Sequence, residues 1–196
     1  LELEIETTGQ PLTIDSLSSE FTGYPFERKA TFSSDDQSLE EILDVSWLTA
    51  RLCAGETNFD CPYYEQLNYA GDTRIQSLIA LYAAGDGALA RKAITLFDNS
   101  RMPSGLTQSR YPTYLKQVIP PFSLYWVDML HDWWMLRGDE DFIGSMLPGV
   151  RGVIGWFASR MAPSGMIGEL RWWNFVDWAD EYGSGVSPGA DEGENA

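Results

Sequence analysis

The run Ser100, Arg101, Met102, Pro103, Ser104, Gly105 returns downstream as Ser159, Arg160, Met161, Ala162, Pro163, Ser164, Gly165, and a Gly-Asp pair precedes each copy, at Gly85-Asp86 and Gly138-Asp139. A glycine that ends one helix, followed by an aspartate that opens the next, is the joint of a helical hairpin. Apolar residues recur at helical spacing on both sides of each joint, so each repeat reads as two antiparallel helices of about 55 to 60 residues in all. One hairpin cannot bury both faces of its helices. Such units must stack, as an open solenoid or as a closed toroid. The chain holds barely two and a half of them, so the array is expected to be incomplete and to leave apolar surface where further hairpins would pack.

Ser34, Asp35, Asp36 and Gln37 form a capping-box pattern ahead of Leu39, Ile42, Leu43, Trp47 and Ala50, which predicts a first helix from about residue 35 to residue 54. Further helices are predicted over about 75–84, from 86 to about 100, over about 122–136 and from 139 to about 161. Upstream, Leu1, Glu2, Leu3, Glu4 and Ile5 alternate with the period of a half-buried strand, and Gly9 and Pro11 follow as punctuation. Residues 1–33 are therefore expected to be the end of a β domain and its linker, and residues 34–196 a mainly α array of hairpins.

With 44% hydrophobic and 13% aromatic residues among 196, the chain can bury a substantial core and is expected to be globular. Its net charge of -16, from 29 acidic against 13 basic residues, argues against a nucleic-acid or anionic-membrane partner and favours a neutral ligand. No run approaches the roughly 18 to 20 apolar residues of a membrane span, and no basic leader opens the chain. Cys53 and Cys61 are too few for a disulfide framework and are expected as small buried hydrophobes. His131, the sole histidine, sits in an apolar run with Trp126, Trp133 and Trp134; all four are expected to be structural rather than ligand-contacting. There is no zinc pattern, and no metal or cofactor is expected. The chain opens on Leu1 and closes on Glu194, Asn195 and Ala196, so it is expected to be an internal segment of a longer protein.

Between the first two predicted helices the sequence concentrates Asn58, Asp60, Tyr63, Tyr64, Glu65, Asn68, Tyr69 and Asp72. If Pro62 opens a helical turn, Glu65, Tyr69 and Asp72 fall at i, i+4 and i+7 on one face. Carbohydrate sites combine such groups: carboxylates accept hydrogen bonds from sugar hydroxyls, and ring faces cover apolar C–H surface. A carboxyl among aromatics is also partly desolvated, which raises its pKa toward that of a general acid. On spacing alone, the same residues read equally as helix caps, Asp60 for one helix and Asp72 for the next, with Glu65 simply solvated.

The stretch Asp60-Cys61-Pro62, with Glu65 seven residues before Asp72 and Gly71-Asp72 closing it, resembles the signature of the α-L-rhamnosidases of glycoside hydrolase family 78. That signature runs Asp-Cys-Pro, then an acidic pair ending in Glu, then a Trp-Thr-Gly-Asp-like close. Two departures are visible, a spacing shorter by one residue between Pro62 and Glu65, and Tyr69-Ala70 in place of Trp-Thr. The similarity extends over most of the chain. Residues 25–36 resemble the family's junction between a β-sandwich and a helical (α/α)6 barrel, and Asp177-Trp178 resembles its Asp-Trp pair, which presents a sugar-stacking tryptophan.

The resemblance implies that residues 34–196 are an incomplete (α/α)6 catalytic barrel that releases terminal α-L-rhamnose with inversion. It places Glu65 as general acid and Asp60, Tyr69, Asp72, Asp177 and Trp178 in contact with the sugar, with Trp172, Trp173 and Asn174 in the same loop as Trp178. It puts the general base on a later hairpin, beyond position 196; Asp177, Asp180, Glu181 and Glu192 are further carboxylates that do not match the base motif. The implied partners are a carbohydrate substrate and the remaining hairpins and β domains of the parent, and the chain alone is expected to be inactive. Two other readings stay open, another six-hairpin glycosidase or uronyl hydrolase, and a non-catalytic glycan-binding protein.

Overall fold

The computed structural model describes residues 2–187 and the backbone of Glu194–Asn195. Glu192 and Leu1 lie outside the described residues. Five α-helices carry the chain: α1 (Gln37–Leu52), α2 (Ala70–Ala83), α3 (Ala88–Asn99), α4 (Pro120–Arg137) and α5 (Glu140–Ala158). The fold is mainly helical, as the repeat grammar requires. Among the described residues the strand content is a two-residue pairing of Ile167–Gly168 with Glu194–Asn195.

Both predicted joints form. Gly85 and Gly138 adopt φ of 66° and 63°, the left-handed region that a side chain disfavours, and there the chain reverses from α2 into α3 and from α4 into α5. The aspartate after each glycine engages the start of the next helix: Asp139 is the N-cap of α5, its Oδ1 accepting from the Phe142 N–H at 3.3 Å, and Asp86, one residue ahead of the Gly87 N-cap of α3, accepts from the Ala88 N–H at 2.8 Å. Helix α4 starts on Pro120 and Pro121, where no backbone N–H is needed. It packs against α2, α3 and α5 and is the centre of the array. Its Trp126 is fully buried and donates its indole N–H to the Ile94 carbonyl at 3.0 Å.

The echoed segments fold into the same turn. The Met102 N–H donates to the Leu106 carbonyl and Gly105 N–H to the Met102 carbonyl, at 2.8 and 2.9 Å; Ala162 to Met166 and Gly165 to Ala162 repeat this at 2.7 and 2.9 Å. Gly105 and Gly165 both take positive φ, 98° and 86°. Ala162, the extra residue of the second copy, takes the place of Met102.

Four expectations change. Residues 2–6 form no strand, and Leu3 and Ile5 are exposed, because no neighbouring strand pairs with their backbone. The cap of α1 is Asp36, accepting from the Ser38 N–H, rather than Ser34, whose hydroxyl accepts from Asp36 instead. Helix α2 begins at Ala70, not 75, since the Ala70 N–H is engaged by the Ser109 carbonyl and the turn behind it is fixed there. Trp134 and His131 leave the core: Trp126 and Trp133 follow the buried stripe of α4, whereas Trp134 and His131 lie off it and are exposed. Cys53 is buried, Cys61 is half-buried, and both thiols are free. Helix α1 buries none of its residues; Leu39, Ile42, Val45 and Leu48 form exposed apolar surface of the kind an incomplete array predicts.

Candidate functional site

The acidic stretch does not form one helical face. Residues 62–65 make a turn, Gln66 takes φ of 56°, and the chain runs extended to Tyr69, the residue that precedes α2. Asp60 closes this excursion, its N–H donating to the Leu67 carbonyl at 2.9 Å and its Oδ1 accepting from the Leu67 N–H at 2.8 Å. Glu65 hangs from the turn with its N–H on Cys61 Sγ at 3.2 Å. The convergence of Glu65, Tyr69 and Asp72 is therefore tertiary, produced by a closed loop set against a helix start.

That helix start is anchored from below. Asn68 Nδ2 donates to the Tyr111 carbonyl and Thr73 Oγ1 to Asn68 Oδ1, both at 2.8 Å, and both side chains are buried. Gly71 lets the first turn of α2 approach α4, since a Cβ there would lie 3.1 Å from the Phe122 ring. Phe122 in turn packs edge-on against Tyr69, Tyr125 and Phe175, at 6.3, 5.6 and 5.9 Å between ring centroids.

The third wall is the loop after α5. Phe175 bridges to Val186, and Gly185, at φ 73°, lies so close under the Phe175 ring that a Cβ would come within 2.3 Å of it. The Trp173 indole N–H donates to the Ser184 carbonyl at 2.9 Å. Trp178 is 71% exposed and leans on Phe175 at 5.1 Å and on Trp173 at 6.1 Å. The Asp177 carboxylate accepts from the Trp178 N–H at 2.7 Å.

These three segments enclose a cleft of about 370 Å³. Asp60, Glu65, Tyr69, Asp72, Asp177 and Trp178, all singled out in the sequence, line it together. Trp173 lines it as well, whereas Trp172 packs on Trp156 and Asn174 donates to the Leu170 carbonyl, both outside the lining. The sequence reading missed Arg74, Phe122 and Tyr125, which complete the wall. Phe122 and Tyr125 stand at i and i+3 on the first turns of α4, a spacing that marks a shared face. Arg74 is held by the α4 carboxylates, 3.0 Å from Asp128 and 2.9 Å from Asp132.

The four carboxylates give the cleft a negative field. Burial pushes Asp72 above the ordinary carboxylate range, its own backbone N–H opposes this, and the charges of Asp60, Glu65 and Asp177 add to the rise. Burial likewise raises the Tyr69 phenol, an effect that the Glu65 carboxylate reinforces and that Arg110 counters. Among the described residues no group of three or more His, Cys, Asp or Glu is placed to hold a metal ion, and no helix is long and apolar enough to cross a membrane.

The family model described as the bacterial alpha-L-rhamnosidase 6 hairpin glycosidase domain matches residues 27–195. Among solved structures, the chain is similar to the GH78 family rhamnosidase of Bacillus sp. GL1, at 27% identity and a TM-score of 0.75, over 81% of this chain and 16% of that one. It shares its fold with a rhamnosidase from Klebsiella oxytoca whose structure has rhamnose bound, at 24% identity and a TM-score of 0.69, over 74% of this chain and 30% of that one. The chain thus spans well under half the length of either protein. No curated protein matches it.

Proposed function

The chain belongs to the family of bacterial α-L-rhamnosidase six-hairpin glycosidase domains, and from that premise we propose that its cleft binds the terminal α-L-rhamnosyl residue of a glycan or glycoside for hydrolysis with inversion. Glu65 is the general acid that protonates the leaving oxygen. Asp60, Asp72 and Asp177 accept hydrogen bonds from ring hydroxyls, bonds that strengthen as positive charge develops on the sugar. Tyr69 and Trp178 offer ring surface to its apolar face. The carboxylate that activates water comes from outside these residues, so the whole protein is required for turnover, and residues 1–33 belong to the end of a preceding β domain.

The observation that carries this reading is the convergence of Glu65 with Asp60, Tyr69, Asp72, Asp177 and Trp178, from separated segments, on one cleft. Its volume of about 370 Å³ falls at the small end of the roughly 300–1,000 Å³ range of ligand sites, which suits one terminal sugar. The burial of Asp72 favours one competing assignment, in which Asp72 donates the proton and Glu65 binds a hydroxyl.

Leaving-group dependence separates the two. In the full-length protein, Glu65→Gln is expected to lower hydrolysis of an alkyl rhamnoside by about 10²- to 10⁴-fold, the usual contribution of a general acid, and to spare a dinitrophenyl rhamnoside, whose leaving group needs no proton. If Asp72→Asn shows that pattern and Glu65→Gln does not, the roles are exchanged.

A further inference from the structure

The acidic loop carries two side chains that the site described above does not use. Asp60 and Glu65 line the cleft, whereas Tyr63 and Tyr64, between them in sequence, stay outside the lining and are 78% and 89% exposed. The loop is shut at its base by the Asp60 N–H on the Leu67 carbonyl at 2.9 Å and the Leu67 N–H on Asp60 Oδ1 at 2.8 Å. Both rings therefore stand on the rim beside Glu65. Their centroids are 5.2 Å apart and their planes meet at 81°, so one ring face and one ring edge form an open corner. Among the described residues, neither makes a ring contact or side-chain hydrogen bond beyond this pair.

A second loop comes to the same rim. Arg110 pairs with Tyr69 as an isolated antiparallel bridge, flanked by the Ala70 N–H on the Ser109 carbonyl at 2.9 Å and the Tyr111 N–H on the Asn68 carbonyl at 3.2 Å. In that register the chain after Arg110 runs back past Asn68, toward the acidic loop and away from α2. It returns at Gln117, whose carbonyl accepts from the Ser109 N–H at 3.0 Å. Between these points Tyr114 is 99% exposed. Three exposed tyrosines thus stand on two closed loops that leave one bridge, and the packing of the chain itself gives no reason for them.

The cleft volume of about 370 Å³ suits one terminal sugar, so whatever that sugar is attached to lies outside it. A general acid must come within hydrogen-bond reach of the leaving oxygen, roughly 2.6–3.2 Å. With Glu65 as the acid, the leaving group begins at its carboxyl and continues over the rim that Tyr64, the preceding residue, occupies. Uncharged rings cover the apolar C–H face of a sugar, and the four carboxylates behind them disfavour an acidic one. We propose that Tyr63, Tyr64 and Tyr114 form a leaving-group subsite for a neutral pyranose, the second sugar of a glycan whose terminal rhamnosyl residue fills the cleft. This deepens the function proposed above and rests on Glu65 standing at the leaving oxygen.

The test uses the full-length protein and two substrates, methyl α-L-rhamnoside and methyl 6-O-α-L-rhamnosyl-β-D-glucoside. Both release a primary alcohol and need the acid equally, but only the second reaches the rim. Tyr63→Ala, Tyr64→Ala and Tyr114→Ala are each expected to raise KM on the disaccharide about two- to tenfold, the scale of one ring contact, with kcat unchanged. The triple variant raises it at least about tenfold. On the methyl glycoside kcat/KM stays within about twofold, because that substrate ends at the cleft. Tyr64→Phe, which keeps the ring face, behaves as the parent protein on both.

Equal losses on both substrates would show that the tyrosines only support the loops, and no loss on either would show that the rim is unused; each result overturns the inference. If Glu65→Gln shows the leaving-group dependence described above and the tyrosine variants do not separate the two substrates, the subsite fails alone. If the tyrosine variants separate them and Glu65→Gln shows no such dependence, the subsite stands and the acid assignment falls. Should the protein hydrolyse neither substrate, the proposed function fails and calorimetric titration of both ligands supplies the same comparison; binding of neither overturns the subsite too. The three side chains are exposed, so alanine is expected to leave the fold intact by circular dichroism, and the single variants carry the comparison if the triple one does not fold.

Discussion

Gly105 and Gly165 occupy the same place in the two echoed turns, with φ of 98° and 86° and the same hydrogen bonds, yet they should differ sharply when replaced by alanine. At both, alanine is forced into a left-handed backbone region, at a cost of about 1–2 kcal/mol. Around Gly165 there is nothing within 4 Å of the new Cβ, so the backbone term is the whole effect. At Gly105 the Cβ would lie 2.8 Å from the Gly152 carbonyl oxygen and 3.0 Å from its carbon. That neighbour is the backbone of α5, which cannot rotate away like a side chain. Relieving the overlap means pushing α5 off the turn, and overpacking of this kind costs about 1–3 kcal/mol more. The difference between the two variants is therefore about 2 kcal/mol, which at a slope of about 2 kcal/mol per molar separates their urea midpoints by about 1 M. Unfolding followed by tryptophan fluorescence measures it. Equal midpoints for Gly105→Ala and Gly165→Ala would refute the reasoning, because they would mean that the close approach of the turn to α5 carries no energetic weight.

Two further predictions concern the cleft and the core. Asp72→Asn should stabilise the protein at neutral pH: native Asp72 holds its proton more tightly than in the unfolded chain, so stability present below the ordinary value of 3.8 is lost as pH rises through the raised native value, and asparagine escapes that loss. Thermal unfolding over a pH series should show the two proteins equal in acid and diverging above 3.8; parallel curves would contradict the assigned burial. Trp126→Phe should cost about 2–3 kcal/mol, the sum of an unfilled volume and one buried hydrogen bond, because the indole is fully enclosed and donates to the Ile94 carbonyl at 3.0 Å. A denaturation midpoint that does not move would show that α3 and α4 repack around the smaller ring.

The hairpins were legible because their signals are local. Gly85 with Asp86 and Gly138 with Asp139 each combine a left-handed stop with an aspartate that accepts from a backbone N–H at the start of the next helix, and both devices act within a few residues. The membership of the acidic cluster was legible too, but for a reason that the structure replaces. Even helical spacing would have aligned Glu65, Tyr69 and Asp72, whereas Gln66 breaks the helix and Asp60 ties the loop shut through Leu67. Asp60 caps no helix, contrary to the alternative reading; its carboxylate closes the loop through Leu67 and also lines the cleft. The exposure of Trp134 was readable and overlooked: Trp126, Met129, Leu130 and Trp133 keep a helical stripe, and Trp134 falls beside it. Arg110 and Arg74 were not readable, because each acquires its meaning from a partner more than forty residues away, Tyr69 in one case and Asp128 with Asp132 in the other.

The charge arrangement of the cleft bears on what it can accept. Asp60, Glu65, Asp72 and Asp177 face one small volume, and Asp72 is partly removed from water as well. Such a cluster repels itself, and the oxygens beyond those held by the Leu67 and Trp178 N–H groups call for donors supplied from outside. Two local features limit the strain: Asp72 stands in the first turn of α2, where the helix dipole favours an anion, and Arg74 lies in the wall. Arg74, however, is already engaged by Asp128 and Asp132, so it offers little to a third carboxylate. Among the described lining residues there is then no uncommitted cation to meet the further negative charge of a sugar acid, whereas a neutral deoxysugar brings hydroxyl donors and an apolar face for Tyr69 and Trp178. This supports the proposed rhamnoside over a uronide. It also gives the Asp72→Asn variant a second meaning: if Asp72 accepts from the sugar as proposed, the substitution that relieves the native state removes that acceptor, and the gain in stability should come with weaker binding, as expected where a site is kept strained for its ligand.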